Sequence, residues 1–115
     1  MENNDENIYY FEIDFKTWKR YLRNFINKQR LELLLYLTSL KESQDPNLIT
    51  YLKQRIYNVK RAILENEIML KLAEICKDEY MFYITSDGYP VMRLVGKERK
   101  EELRKQKKFL RLTYV

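Results

Sequence analysis

Residues 8–14, IYYFEID, form a short run of aromatic and β-branched residues that predicts a strand. At Phe15 the period becomes helical. Phe15, Trp18, Leu22, Phe25 and Ile26 share one face, and the pattern continues through Leu33, Leu37 and Leu40. This predicts one long helix, or two joined near Asn27, ending around the KESQ at 41–44. Asp45-Pro46-Asn47 is a restart signal: Asp45 can cap, and Pro46 suits the first helical position, where its missing N–H costs nothing.

The second helix is expected to run to about residue 78. Its first half carries one apolar stripe, Leu48, Leu52, Ile56, Val59 and Ile63. Its second half, IMLKLAEIC at 68–76, is apolar almost all round, so burial on several sides is expected, by the rest of the domain or by another subunit. Residues 80–95, YMFYITSDGYPVMRLV, place two β-rich runs around Asp87-Gly88, which predicts a hairpin. Gly96 allows a change of direction, a helix is predicted from Lys97 to about Leu110, and LRLTYV at 110–115 alternates as a last strand.

The predicted order is therefore β-α-α-β-β-α-β in a single α+β domain covering 1–115. Its two long antiparallel helices pack with a small antiparallel sheet, beside a basic C-terminal helix. The stretch YITSDGYPV, which follows a helix bearing Lys60 and Arg61, is similar to the wing of winged-helix proteins over its nine residues. The preceding helix is longer than a helix-turn-helix allows.

Composition narrows the function classes. With 115 residues, 45% hydrophobic and 34% charged, the chain is globular with a heavily charged exterior. No apolar run approaches the roughly 20 residues needed to span a bilayer. The first residues, MENNDEN, are the opposite of a signal or transit peptide, and a single Cys precludes an internal disulfide, so a cytoplasmic setting is expected. There is no histidine, which removes Ser-His-Asp and Cys-His catalysis and His-based zinc sites. Two glycines are too few for a Walker or dinucleotide loop. High Lys, Glu, Ile and Tyr with low Gly and His suit a thermophile or a virus of one. No catalytic residue, metal, cofactor or small-molecule substrate is expected. The weak exception is Asp14-Phe15-Lys16 after the first strand, an acid–Lys spacing that metal-dependent nucleases use, with Asp78 or Glu79 as a second carboxylate.

Charge supplies the leading functional signal. The net charge is +5, and residues 97–111 hold eight Lys and Arg against three Glu, while the other hundred residues carry fourteen of each sign. On a helix at about 100° per residue, Lys97, Lys100, Arg104, Lys107, Lys108 and Arg111 fall within one arc of about 100°. Like charges at such spacings repel, which an ordinary solvated helix tends to avoid by alternating sign. Segment 15–31 has six positive residues and no acid, and its Lys16, Lys19, Arg20 and Arg23 share a second arc. Lys53, Arg55, Lys60 and Arg61 occupy an acid-free span from Pro46 to Leu64, with Lys53 and Lys60 on one face.

This segregation of sign is what a phosphate-facing surface needs. The expected function is a small nucleic-acid-binding protein that contacts duplex DNA through phosphates, in a regulatory or packaging role. The expected contact residues are Lys16, Lys19, Arg20, Arg23, Lys60, Arg61, Lys97, Lys100, Arg104, Lys107, Lys108 and Arg111, and homodimerisation would double the basic surface. The alternative is a non-enzymatic subunit of a larger assembly. Phe15, Trp18, Tyr21 and Phe25 are expected in the core rather than stacked on bases, and Cys76 is expected to be a small core residue.

Overall fold

A computed structural model of the chain describes residues 9–97 and 99–110. It contains a strand β1 (Tyr10–Ile13), two long helices α1 (Phe15–Glu42) and α2 (Pro46–Cys76), a 3₁₀ turn (Lys77–Glu79), a hairpin of β2 (Tyr80–Thr85) and β3 (Pro90–Leu94), and α3 (Arg99–Leu110). This is the α+β architecture read from the periodicity. The expected last strand lies outside the described residues from 111 onward. No helix among the described residues is long and apolar enough to cross a membrane.

The chain forms two compact units. The first comprises residues 1–21 and 72–115. Its sheet has the order β1-β2-β3, antiparallel throughout, with Tyr10 opposite Thr85, Ile13 opposite Phe82, Tyr80 opposite Leu94 and Ile84 opposite Pro90. Strand β2 is central, which is why Met81, Phe82 and Tyr83 are all buried although they alternate between faces. Pro90, which has no N–H to give a ladder, opens the edge strand β3, where a proline is tolerated.

The hairpin turn is longer than Asp87-Gly88 alone suggests. Gly88 N–H donates to the Thr85 carbonyl at 3.0 Å, and Gly88 then takes the left-handed conformation with φ 92°. A tight turn followed by one left-handed residue is the usual three-residue hairpin loop. Thr85 Oγ1 accepts from Tyr89 N–H at 2.8 Å and donates to the Asp87 carboxylate, which fixes the loop from inside. Gly96, at φ 89°, makes the change of direction expected there, and both Val95 N–H and Gly96 N–H donate to the Glu79 carbonyl at 2.9 Å.

An aromatic cluster joins the first turn of α1 to the sheet. The Trp18 ring lies 4.7 Å from that of Phe82, and Phe15 lies 6.1 Å from Trp18 and 5.2 Å from Phe82. Trp18 is fully buried, Phe15 and Phe25 are half-buried and Tyr21 is exposed. The expectation of a core stripe therefore holds for three of the four aromatics.

The second unit, residues 22–71, is an antiparallel helical hairpin. Leu22 and Ile26 from α1, with Leu52, Ile56, Val59 and Ile63 from α2, are its buried apolar residues. Polar ties flank this seam. Asn66 Nδ2 donates to Gln29 Oε1 at 3.0 Å, Arg30 pairs with Glu67, and Arg55 Nε donates to the Tyr36 hydroxyl at 3.4 Å. Helix α1 passes through Asn27 without a joint, because the stripe 22, 26, 29, 33 continues unbroken across it. At the restart the Asp45 carboxylate accepts from Asn47 N–H at 3.1 Å and its carbonyl from Ile49 N–H at 2.9 Å, with Pro46 in the first helical position.

Within the IMLKLAEIC segment Ala73 is buried and Met69, Leu70 and Cys76 are half-buried, while Ile68, Leu72 and Ile75 are exposed, so the chain itself covers one side of it.

Trp18 Nε1 is buried and has no hydrogen-bond partner among the described residues. Its ring therefore stabilises by packing rather than by polar bonding. Trp18→Ala is expected to cost about 3–5 kcal/mol, as for other buried aromatics. Trp18→Phe, which also removes an unsatisfied donor, is expected to cost much less. Urea unfolding followed by far-ultraviolet circular dichroism checks both; equal losses would show that the indole N–H is bonded.

Candidate nucleic-acid interface

Two of the predicted basic segments meet in the first unit. Asp14 ends β1 and caps α1, its Oδ1 accepting from Thr17 N–H at 3.1 Å and its carbonyl from Trp18 N–H at 3.0 Å. The cap aims the first turn so that Phe15 and Lys19 project together. Lys19 Nζ and Lys77 Nζ each lie 5.7 Å from the centre of the Phe15 ring. Lys100 Nζ donates to the Lys77 carbonyl at 3.2 Å, which ties α3 to the end of α2. Lys77, absent from the sequence-based set, is the residue that links the 16–20 segment to the 97–100 segment. Only its distance in sequence from both concealed it.

Lys16, Arg20 and Lys97 are exposed in the same unit. The side chains of Arg104, Lys107 and Lys108 lie outside the described part of the structure, as does Arg111.

Carboxylates are mixed into this cluster. Lys19 Nζ pairs with Glu74 Oε2 at 2.8 Å. Glu12, Asp14 and Asp78 line one recess with Lys77 and Lys100. Its contents raise the acid–Lys nuclease reading, yet Asp14 Oδ1 is committed to the helix cap and Lys16 is not part of the lining. Among the described residues no group of three His, Cys, Asp or Glu side chains could hold a metal ion.

Both units carry an excess of positive charge. Among the described residues of the first unit, twelve Lys and Arg stand against eight Asp and Glu. Residues 22–71 hold nine against five.

Within the hairpin, three of the five acids are occupied by arginines. Glu67 pairs with Arg30, Glu32 with Arg55 at 3.5 Å, and Glu65 with Arg61 at 3.2 Å. The Arg55 guanidinium is held above its already high ordinary pKa, first by its hydrogen bond to the Tyr36 hydroxyl. Arg61, a predicted contact residue, is thus partly committed to Glu65, whereas Lys60 is exposed. Arg23 is exposed and lines a recess with Arg30 and Glu67.

A cationic line emerges on α2. Lys53, Lys60 and Lys71 are exposed and stand seven and eleven residues apart, which on a helix at about 100° per residue returns to one face. Exposed Tyr57, Leu64 and Ile68 interleave with them. Lys71 was not a predicted contact because its segment reads as apolar; its spacing from Lys53 and Lys60 was the available signal. Comparison with protein-family models, with curated proteins and with solved structures finds no match for this chain.

The cap has its own pH dependence. The hydrogen bonds from Thr17 lower the Asp14 pKa from its ordinary value of 3.8. A depressed folded-state pKa gives stability that is present above 3.8 and lost as pH falls through the lower, folded value. Asp14→Asn keeps a capping oxygen but cannot titrate, so it should flatten this part of the acid-unfolding curve. Asp14→Ala should lower stability at neutral pH as well. Thermal unfolding between pH 2 and 7 reads both, and an unchanged acid limb in Asp14→Asn would show that the cap does not contribute to it.

Proposed function

We propose that this protein binds nucleic acid, duplex DNA above all, through phosphate contacts made by the helical hairpin. The observation that carries the reading is the line of exposed Lys53, Lys60 and Lys71 on one face of α2, in a unit where nine Lys and Arg stand against five Asp and Glu. At about 1.5 Å of rise per residue these ammonium groups are spaced by roughly 10 and 16 Å along α2, a reach comparable with several phosphates of a duplex. Ammonium groups on flexible stems fit phosphate as point charges and carry little sequence information, so the binding is expected to be weakly sequence-dependent and to suit packaging or a supporting regulatory role.

Lys16, Arg20 and Lys97, exposed in the other unit, would add contacts, but in that unit Glu74 pairs with Lys19, and Asp14 and Asp78 share a recess with Lys77 and Lys100, which weakens attraction for a polyanion. A second reading, a non-enzymatic subunit of a larger assembly, is favoured by the exposed leucines of α1.

Anisotropy titration of random-sequence duplex DNA across a salt series tests the main reading. Three phosphate contacts predict a slope of log affinity against log salt of about −3. The triple variant Lys53→Glu, Lys60→Glu, Lys71→Glu should retain its helical circular dichroism and lose at least about tenfold in affinity at low salt, since it converts three attractions to repulsions. Absence of binding at low salt, or binding insensitive to salt, would overturn the proposal.

A further inference from the structure

We propose that the outward face of α1 is a homodimer interface that receives α1 of a second copy, antiparallel to the first. The hairpin leaves Leu31 and Leu35 with 64% and 68% of their surface exposed. They belong to a second seam. Asn24, Lys28, Leu31, Leu35, Thr38 and Glu42 recur at alternating steps of four and three, the spacing of a coiled-coil face. On a helix at about 100° per residue this seam lies opposite the buried Leu22 and Ile26. All six of its positions except Leu31 and Leu35 are polar, which keeps the face soluble until the leucines are paired.

Charge decides both the occupant and its direction. Lys28 stands near one end of the seam and Glu42 at the other, both exposed. A parallel copy would set Lys28 against Lys28 and Glu42 against Glu42. An antiparallel copy centred near Leu33 sets Leu31 against Leu35 of the second copy and Asn24 against Glu42 of the second copy. It also brings Lys28 within about one helical turn of Glu42 of the second copy. The face is thus complementary to itself under two-fold rotation, as a closed dimer requires.

The outer face of α2 does not share this property, because Lys53, Lys60 and Lys71 would repel their own copies. Area sets the strength. Two leucines exposing on the order of 100 Å² each contribute about 400 Å² over both copies, so even with their polar flanks the interface falls at the small end for specific association, below about 1,200 Å², and a weak dimer of upper-micromolar affinity is expected.

Sedimentation velocity of the full chain, without nucleic acid, over a concentration series from roughly 1 to 300 µM tests this independently of phosphate binding. A monomer–dimer equilibrium in that range is expected, and Leu31→Glu with Leu35→Glu should weaken it at least about tenfold. Because burial of these leucines in the monomer is slight, helical circular dichroism should be unchanged. Lys28→Glu alone should also weaken the dimer, and Lys28→Glu with Glu42→Lys should restore it, since only an antiparallel copy regains opposite charges. A monomer at all concentrations, a dimer indifferent to the leucine pair, or a charge swap that fails to restore association would each overturn the proposal.

Discussion

A pair of helices has one shared seam, and each helix can turn only about a third of its surface into it. The hairpin of residues 22–71 carries more apolar residues than that seam can take. Leu22, Ile26, Leu52, Ile56, Val59 and Ile63 fill it, and Leu31, Leu34, Leu35, Tyr57, Leu64 and Ile68 are left facing solvent. A hairpin of this size, with six buried apolar residues, is also marginal as a core in its own right. Its outer faces are therefore open to further contacts, and this limit shapes both proposals.

The other unit solves the same problem differently. Its sheet has a central strand with neighbours on both sides, so Met81, Phe82 and Tyr83 are covered, and Trp18 closes over Phe82 from the first turn of α1. Asp14 capping that turn determines where Trp18 and Phe15 point, and Phe15 in turn supports Lys19 and Lys77. One exposed carboxylate at a strand–helix junction thus positions both an aromatic core and a cationic cluster.

Much of this was legible in the chain. The switch of period at Phe15, the Asp45-Pro46 restart and the Asp87-Gly88 turn are local signals, each enforced by backbone geometry within a few residues, and they located the elements closely. The individual basic arcs were equally legible, because helical projection needs only sequence spacing. What spacing could not reveal was pairing between segments. Arg30 meets Glu67, Arg55 meets Glu32 and Lys19 meets Glu74 across separations that no local pattern encodes. Those pairs decide which cations are already matched by an acid, which helical projection alone does not show. The apolar 68–76 segment shows the same limit: its composition called for burial by the domain or by another subunit, and spacing could not say which of its residues the chain itself covers.

Charge then separates the roles of the two outer faces, although both are partly apolar. On α2, Lys53, Lys60 and Lys71 share one sign, which suits the proposed polyanion contact and disfavours a second copy. On α1, Lys28 and Glu42 have opposite signs at opposite ends of a leucine seam, which suits the proposed dimer in one orientation only. Neutral residues in either place would leave two interchangeable sticky surfaces, with open-ended association as the physical consequence. On the proposed readings, the lysines on one helix and the acid–base pair on the other would turn that hazard into two separate kinds of recognition. Both sets of charges lie away from the buried seam of the hairpin, so each proposal is open to charge reversal on its own.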